Sequence, residues 1–462
     1  MSRLCYSGLR RYVYCSVFNH CFTVSMKSIN SPISNKGFIV VIPILSLVFC
    51  LLCVGCQKKT PPTQVLSPIV DFGDTTTLPI HEDHIPDMRI AESSTGMNRI
   101  NIPDFVPKTD LDTVFRSYRF IPLETAEECL ISYINKILFY KNRIYILDLM
   151  SNKAYVFDRS GKFVRSLGNA GRGPGEHLFA KDLSIDKAKD KITLLDTGGG
   201  KMLFYDLDGK FLQEVPVYYN FSNIEYDGPR MVLNTGRNNN SWIPAIDLYR
   251  LVIADRNQEP LARGFKFSDE VRHNLYAEPK IMSTPHGVLY NDWLSDTLWV
   301  VNNSMCTPFA VIRKNGKPTF SAEEKAHMTE MVYSNRRLDG EMVADYCISD
   351  NYMYISVVGT KEEPNGPYAS NSVFYSIQSK KTKRFGYLRN KTTKFGHYLM
   401  PQHPNAVVEG DIFCRVLQPS DLISTAAIDY VNTIMTPEEK AMVKGLTLES
   451  NPVLMLEELI DF

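Results

Sequence analysis

The sequence predicts an all-β fold, a six-bladed β-propeller with short helical insertions. The first observation behind this prediction is a repeat, because residues 144–167 (IYILDLMSNKAYVFDRSGKFVRSL) and 192–215 (ITLLDTGGGKMLFYDLDGKFLQEV) align without a gap. The second is the residue pattern of the two copies, in which short strands rich in Tyr, Phe, Ile, Val and Leu alternate with tight polar turns. The third is that helical periodicity is scarce elsewhere. A fixed period filled with short strands is typical of propeller blades.

Matching residues of the two copies mark a turn in each blade. Asp158 aligns with Asp206. In each copy a glycine follows three residues after the aspartate, at Gly161 and Gly209. Glycine supplies the positive φ that such a hairpin turn needs. Later blades are more degraded, and their strands are LYRLVIAD (248–255), PFAVIRK (308–314), YMYISVV (352–358), SVFYSI (372–377) and DIFCRVL (411–417).

Residues 105–462 are assigned to the propeller. Seven blades of about 50 residues would also fit the usual blade length, and we favour six blades with loop insertions. The insertions are expected in irregular segments at 238–242, 321–346 and 361–368. Thr436 followed by Pro437 predicts the start of a short helix, since threonine caps helices and proline suits the first turn.

The N-terminal region 1–55 has the layout of a secretory signal peptide. Residues 38–55 are apolar, Lys27 and Lys36 precede them, and small residues lead to Cys56. The ending resembles a bacterial lipobox, in which the cysteine is lipidated, with Cys53 where a leucine is usual. An uncleaved membrane anchor is the alternative, although Pro43 and the short length count against a span of about 20 residues.

Residues 1–25 fit neither a signal peptide nor an anchor. Met26 followed by Lys27 would start an ordinary signal peptide, so we expect Met26 to be the true start. Residues 56–104 are rich in Pro, Thr, Ser and Asp, and are predicted to be the lipidated cysteine and a tether. Residues 57–59, directly after the cysteine, are basic and not acidic. This favours a lipid-anchored position facing the periplasm of a Gram-negative cell envelope.

Charge and cysteine content limit the function. The chain has 51 basic and 51 acidic residues, and five of the basic ones lie in residues 1–55, so the rest of the chain is slightly acidic. The sequence contains no stripe of basic residues that would indicate nucleic-acid binding. After Cys56 the chain has four widely spaced cysteines: Cys129, Cys306, Cys347 and Cys414. Their spacing is consistent either with buried free thiols or with one or two long-range disulfides.

The chain resembles a family of secreted six-bladed β-propeller lipoproteins that are related in blade design to NHL-repeat propellers. The resemblance covers about residues 105–462 and rests on RFIPLET (119–125), ISYINKI (131–137), GNAGRGPGEH (168–177), SDTLW (295–299) and NPVLML (451–456). It implies an envelope propeller with an N-terminal lipid anchor. It implies no catalytic residue and no cofactor, because no catalytic motif defines the family.

The glycine-rich segment 168–176 has two readings. Such loops can hold phosphate through backbone N–H groups, but a helix normally follows at once, and here a strand follows. A crowded connection between blades therefore explains the glycines better. Arg172 and Glu176 could still project from this loop into a ligand groove, and Trp242, in an Asn-rich loop, is the best surface aromatic for a ligand.

No metal site is predicted. The segment from Asp206 to Gly209 hints at a calcium loop but lacks the further oxygen ligands, so a hairpin turn explains it. His81, His84 and Asp87 are suitable ligand types for a transition metal but lie in the predicted tether.

The function expected from the sequence is a cell-envelope lipoprotein whose propeller binds or scaffolds an unknown ligand, such as a glycan or an envelope protein. The chain has no Gly-x-Ser-x-Gly elbow and no HExxH motif. An alternative is a propeller-type lyase or hydrolase acting on envelope or dietary glycans or peptides.

Overall fold

Six β-sheets form the blades of a propeller in the computed structural model, as the sequence repeat predicts. The structure describes residues 80, 85–92, 96–104, 108–110, 114–268, 280–292, 295–302, 304–318, 342–361, 368–385, 387–389, 406–423 and 436–462. Each blade contains an antiparallel four-stranded meander. We number the blades 1 to 6 in chain order.

The strands follow in chain order. The lead-in contains β1 (Arg89–Ile90), β2 (Asn98–Ile102), β3 (Lys108–Asp110) and β4 (Phe115–Pro122). Blade 1 contains β5 (Lys136–Tyr140), β6 (Arg143–Asp148), β7 (Lys153–Asp158) and β8 (Phe163–Ser166). Blade 2 contains β9 (Ala180–Asp186), β10 (Lys191–Asp196), β11 (Lys201–Tyr205) and β12 (Phe211–Pro216). Blade 3 contains β13 (Asn223–Asp227), β14 (Arg230–Asn234), β15 (Tyr249–Ala254) and β16 (Pro260–Lys266).

The remaining blades complete the ring. Blade 4 contains β17 (Lys280–Thr284), β18 (Gly287–Asn291), β19 (Thr297–Asn302) and β20 (Met305–Lys314). Blade 5 contains β21 (Met342–Ile348), β22 (Tyr352–Lys361), β23 (Tyr368–Ser376) and β24 (Thr382–Phe385), and β25 (Tyr387–Arg389) follows. Blade 6 contains β26 (Ala406–Val407), β27 (Ile412–Leu417) and β28 (Val453–Leu459), with helices α1 (Pro419–Ile423) and α2 (Pro437–Lys444) between the last two strands.

The repeated turn is built by an aspartate side chain. Asp158 Oδ1 accepts hydrogen bonds from the backbone N–H groups of Ser160 and Lys162, at 2.8 and 3.0 Å. Asp206 Oδ1 makes the same pair of contacts in blade 2, at 3.0 and 2.9 Å. The glycines of these turns, at 161 and 209, have φ of 87° and 81°. The conserved spacing of Asp and Gly in the two copies is therefore scaffold, as the hairpin explanation predicts.

A third copy of this turn lies in blade 3, where the sequence pattern is hidden. Asp255 Oδ1 accepts from the backbone N–H groups of Asn257 and Glu259, at 2.8 and 2.9 Å. Gln258 stands in the glycine position with φ of 69°. Its side chain donates to the Pro216 carbonyl at 2.7 Å, and this contact with blade 2 helps offset the strained backbone.

The two ends of the chain close the ring together. β4, near the start of the propeller, pairs antiparallel with β28 at the end, with Phe120 opposite Met455. Blade 6 thus takes three strands from the C-terminal part and its outer strand from the segment that contains RFIPLET. Asn451 completes the closure, because its side-chain nitrogen donates to the carbonyl groups of Glu124 and Cys129 at 2.6 and 2.8 Å.

Part of the segment that was predicted as a tether runs along the outer edges of the blades. Asp87 forms a parallel bridge with Arg263 of blade 3. β1 and β2 both pair in parallel with β20 of blade 4, and β3 pairs with β25. Strand pairing therefore begins upstream of residue 105, because these short alternating segments satisfy the open hydrogen-bonding edge of an outer strand.

The hydrophobic core lies between neighbouring blades. Six buried clusters fill the six blade-to-blade contacts, and the largest fully buried side chains are aromatic. Between blades 5 and 6, the rings of Phe374 and Phe413 meet edge to face with centroids 5.5 Å apart. Each sheet is thus apolar on both faces, which explains why the strands are rich in large hydrophobic residues.

The two faces of the propeller differ in their connections. We call one the turn face; there, first and second strands, and third and fourth strands, are joined by short turns such as 141–142, 187–190 and 206–210. On the opposite face, the insertion face, the chain passes from the second strand to the third and from one blade to the next. Its described segments include 123–135, 167–179 and 235–248. Because neighbouring strands in a blade run antiparallel, all of these segments lie on the same side of the propeller.

Candidate functional site

The centre of the propeller holds a buried polar network. Lys136 is the first residue of β5, the innermost strand of blade 1, so it enters the channel from the insertion face. Its Nζ lies 2.9 Å from Asp182 Oδ1 on blade 2 and 3.0 Å from Glu225 Oε1 on blade 3. Both carboxylates are almost fully buried. One lysine thus connects three blades across the channel.

Glu225 is the hub of this network. Its second oxygen, Oε2, accepts hydrogen bonds from Ser184 of blade 2 at 3.0 Å and from Ser283 of blade 4 at 2.8 Å. Asp182 Oδ2 accepts from the backbone N–H of Ile224 at 2.9 Å. We call Lys136, Asp182, Ser184, Glu225 and Ser283 the channel network. It links four of the six blades at the centre of the ring.

A second ion pair continues the polar lining. Lys280, the first residue of β17, pairs with Asp345 on β21 and also donates to the Tyr346 carbonyl at 3.2 Å. This pair joins blades 4 and 5. Five of the six innermost strands therefore contribute a charged or hydroxyl side chain to the channel, whereas the described part of β26 consists of Ala406 and Val407.

The electrostatics of the channel network keep its lysine charged. Burial alone would lower the pKa of Lys136, but the two carboxylates Asp182 and Glu225 outweigh it and raise that pKa well above its usual range. The lysine is therefore cationic at any physiological pH. Two carboxylates and one ammonium group leave the network with a formal charge of −1.

The glycine-rich loop closes on itself, in agreement with the structural explanation. Glu176 Oε2 accepts from the backbone N–H of Gly173 at 2.7 Å, and Gly175 donates to Glu214 at 3.0 Å. A Cβ on Gly168 would overlap the Gly175 carbonyl oxygen and lie 2.8 Å from the Tyr205 hydroxyl. Gly168 is thus required by close backbone approach, and the N–H groups of Gly173 and Gly175 already donate to the carboxylates of Glu176 and Glu214.

The predicted ligand residues all lie on the insertion face, in two separate loops. Arg172 is exposed at the tip of the glycine-rich loop between blades 1 and 2. Glu176, in the same loop, turns its carboxylate inward to Gly173. Trp242 lies in blade 3, half-buried, with its Nε1 3.4 Å from the Tyr218 carbonyl. Arg172 and Glu176 thus share one loop, whereas Trp242 lies in another blade, and no hydrogen bond or ion pair is described between any of the three and the channel network.

Sequence reasoning missed the channel network. The signal is a charged residue in the first strand of a blade, at the start of KILFY in blade 1 and in the middle of NIEYD in blade 3. Such a residue reads as a solvated position unless the strand is known to be innermost. Only the closed ring places Lys136 beside residues 46 and 89 positions later.

The other candidates are structural or lie elsewhere. Asp206 serves the hairpin turn, and Asp87 pairs with Arg263 at 2.9 Å on the outer edge of blade 3. His81, His84 and Cys56 lie outside the described residues. The four propeller cysteines are buried free thiols, and burial raises the pKa of Cys306 and of Cys347 to about 12.

The described residues contain neither a cluster of metal ligands nor a membrane-spanning helix. No group of three or more His, Cys, Asp or Glu side chains is placed to hold a metal ion within the described ranges. Among the same residues, no helix is long and apolar enough to cross a membrane.

Comparison with known proteins identifies the family. Residues 97–458 match the model of a family described as "Domain of unknown function (DUF4934)". The chain belongs to this family. No curated protein matches it.

One of the solved structures that this DUF4934 protein matches is similar to it in fold, with a TM-score above 0.5. A Bacteroides fragilis protein that is named as exported is 18% identical, with a TM-score of 0.62, covering 79% of this chain and 99% of its own. A duf4221 family member from Bacteroides vulgatus is 10% identical, with a TM-score of 0.43, covering 75% of this chain and 97% of its own.

Proposed function

We propose that this protein is an exported, lipid-anchored propeller of the cell envelope that binds a ligand or partner protein on its insertion face. The name of the Bacteroides fragilis protein supports export, and the apolar run before Cys56 supports a lipid anchor. A tether after the lipidated cysteine would hold the propeller clear of the bilayer. The lack of acidic residues directly after Cys56 favours the periplasmic side.

The observation that carries this proposal is the difference between the two faces. Among the described residues, the exposed large hydrophobic side chains lie either on the insertion face or on outer strand edges, and none lies in a turn of the turn face. Exposed apolar side chains on long loops, carried by a rigid scaffold, are typical of recognition surfaces. The described hairpins of the turn face are short and mostly polar.

The channel network is internally paired, which supports binding by the surrounding loops. Side chains from four blades meet at Glu225, and Lys136 contacts both carboxylates of the network. The charge state of Lys136 also favours binding over catalysis, because a nucleophilic lysine needs a lowered pKa and this pKa is raised. The alternative of a lyase or hydrolase is therefore less well supported.

The sector around Trp242 is the best-organised part of the insertion face for a ligand. Asn240 is buried and exchanges two hydrogen bonds with Asn220, at 2.7 and 3.0 Å, which fix the loop. A loop that is already ordered loses little entropy on binding. Ser241 is exposed beside Trp242, at the tip of this loop.

A matched pair of variants tests the proposal. Ser241→Arg places a bulky cation at the loop tip of the insertion face, and Asn142→Arg places the same group in an exposed turn of the turn face. Envelope glycan and envelope protein fractions would be titrated against the full chain carrying either change. We expect saturable binding that Ser241→Arg weakens about tenfold or more and Asn142→Arg leaves unchanged. Equal loss in both variants, or no saturable binding to any fraction, would contradict the proposal.

A further inference from the structure

Residues 85–90, which precede the propeller strands, pack against the loop that carries Trp242. We call residues 85–90 the strap and residues 235–248 the Trp242 loop. Ile85 of the strap is buried in the same apolar cluster as Ile246 of the loop, and Trp242 packs against that cluster. The strap and the Trp242 loop therefore share a core, although they are far apart in the sequence.

Arg263, on β16 of blade 3, joins the strap to the Trp242 loop. Its Nε donates to Asp87 Oδ1 of the strap at 2.9 Å, and its Nη1 donates to the backbone carbonyl of Ala245 in the loop. The same guanidinium lies over the ring of Tyr249, with its carbon 4.5 Å from the ring centroid. One side chain thus holds both segments, which suits arginine because its donors point in fixed directions.

The backbone of Arg263 also holds the strap. The Met88 N–H donates to the Arg263 carbonyl at 2.7 Å, and the Arg263 N–H donates to the Pro86 carbonyl at 3.1 Å. Met88 is buried, and its Sδ lies 2.7 Å from the position that a Cβ on Gly264 would occupy. The strap therefore docks closely against the outer strand of blade 3.

The Trp242 loop contains backbone strain that its neighbours must hold. Leu248, at the end of the loop, has φ of 62°, in the left-handed region that is costly for leucine. Its carbonyl accepts from the Phe267 N–H at 2.9 Å. Strained conformations persist only where surrounding contacts fix them. The bond from Arg263 to Ala245, three residues before Leu248, is one of these contacts.

The strap side of this joint is exposed to solvent. The side chain of Asp87 is 68% exposed, whereas that of Arg263 is 23% exposed. The hydrogen bond from Arg263 lowers the pKa of Asp87, so the carboxylate is charged at neutral pH. Segments held by few buried contacts and by exposed polar pairs open at a lower free energy than the core of a blade. The strap can therefore detach while blade 3 stays folded.

We propose, building on the proposed function, that Arg263 is a positioning residue for ligand binding, and that it makes the order of the Trp242 loop depend on docking of the strap. When the strap is docked, Asp87 fixes the guanidinium, and the guanidinium fixes Ala245. When the strap detaches, Arg263 loses its carboxylate partner and the loop loses Ile85 from its core. The loop then becomes less ordered, and ordering it again makes ligand binding weaker.

The strap also connects the Trp242 loop to the membrane side of the chain. Cys56, the predicted lipidated residue, precedes the strap, and the predicted tether lies between them. Coupling between two sites is reciprocal, so a ligand that orders the Trp242 loop strengthens docking of the strap. By the same linkage, a pull on the tether that detaches the strap weakens ligand binding. Binding on the insertion face is thereby linked to the way in which the propeller is held at the membrane.

Hydrogen–deuterium exchange of the full chain tests the coupling without a ligand, so its result does not depend on whether a ligand is found. Asp87→Ala removes the strap side of the joint and changes no residue of the Trp242 loop. We expect the amides of Ile243 and Ile246, which are bonded within the loop at 2.8 and 3.0 Å, to exchange at least about fivefold faster. Asp104→Ala, which removes another exposed aspartate upstream of the propeller strands, is the matched control and should change neither amide. Unchanged exchange of the loop in Asp87→Ala, or an equal rise in all blades, would overturn the proposal.

The reverse direction provides the second arm. Asn240→Ala removes the two hydrogen bonds with Asn220 that fix the Trp242 loop, and it changes no residue of the strap. Because coupling is reciprocal, the Met88 amide, which is bonded to the Arg263 carbonyl, should then exchange at least about fivefold faster. Asn142→Ala, in an exposed turn of blade 1, is the control and should leave the Met88 amide unchanged. A strap whose exchange is the same in Asn240→Ala as in the control would contradict the coupling.

Discussion

Lys136 of blade 1 reaches Glu225 of blade 3, with 3.0 Å between Nζ and Oε1, although the two residues are 89 positions apart. The same lysine also binds Asp182 of blade 2, which lies between blades 1 and 3 in the ring. Two buried carboxylates therefore depend on one cation. The relationship links the stability of three blades to a single side chain.

Lys136→Met should destabilise the protein by about 3 kcal/mol, because it leaves two buried carboxylates without their cation. The matched control is Lys141→Met, since Lys141 forms an ion pair with Asp190 in which both side chains are about half exposed. Loss of that pair should cost far less, because solvent screens two charges that are half exposed. Urea unfolding of the two variants measures the difference. Equal effects would show that the channel network does not stabilise the ring.

Asn451→Ala should weaken the closure of the ring. The side chain makes three hydrogen bonds, to the backbone of Glu124, Cys129 and Ile131, at 2.6 to 2.8 Å. Removing them leaves buried backbone groups unsatisfied, at a cost of about 3 kcal/mol. Limited proteolysis should cut between residues 123 and 135 first. Asn142→Ala, in an exposed turn, is the control, and an equal cleavage rate in both variants would contradict this role.

Two glycine substitutions should separate backbone strain from close packing. Gly161 and Gly316 both have positive φ, of 87° and 75°. A Cβ at Gly316 meets nothing within 4 Å, whereas at Gly161 it would overlap the Pro122 carbonyl oxygen. Gly316→Ala should therefore cost about 1 kcal/mol, from the left-handed backbone alone. Gly161→Ala should cost about 3 kcal/mol or more in thermal or urea unfolding, because blade 1 must move away from blade 6.

The four propeller thiols should resist alkylation in the folded protein. Burial raises the pKa of Cys306 and Cys347 to about 12, and it also raises the pKa of Cys129 and Cys414. At pH 8 a thiol with a pKa of 12 is ionised in only about one molecule in 10⁴. Iodoacetamide followed by peptide mass spectrometry should label these sites only after unfolding. Rapid labelling of Cys347 in the native state would contradict its burial.

Cys56→Ser should release the protein from membranes into the soluble fraction, because the lipid anchor would have no attachment site. Cys53→Ser is the matched control, since it changes the neighbouring cysteine and leaves the acceptor in place. Fractionation with labelled palmitate measures both retention and modification. Full membrane retention of Cys56→Ser would favour an uncleaved anchor.

The fold followed from sequence where local chemistry determines structure. Asp158 and Gly161 define a turn within five residues, so their recurrence at Asp206 and Gly209 was readable as a repeat. The third copy was hidden because Gln258 replaces the glycine and is held by a contact with Pro216. That contact is not visible until blades 2 and 3 are side by side.

The candidate site was harder to predict because it depends on the closed ring. Lys136, Asp182 and Glu225 come from three separate strands, and no spacing along the chain brings them together. The sequence alone predicts a tether where β1 and β2 form. Their hydrogen-bond partner, β20, follows about two hundred residues later, so the pairing is not visible in the local sequence. Arg172 and Glu176, in one loop, and Trp242, in another, remain predicted ligand residues on the insertion face.

Thiol accessibility in the intact envelope tests the central claim, recognition through the insertion face, most directly. Ser241→Cys reports on the insertion face and Asn142→Cys on the turn face, and both positions are exposed. Maleimide labelling rates would be compared between intact envelopes and the purified full chain. We expect Ser241→Cys to react several-fold more slowly in the envelope, while Asn142→Cys reacts at the same rate in both. Equal rates for Ser241→Cys, or protection of Asn142→Cys instead, would contradict binding through the insertion face.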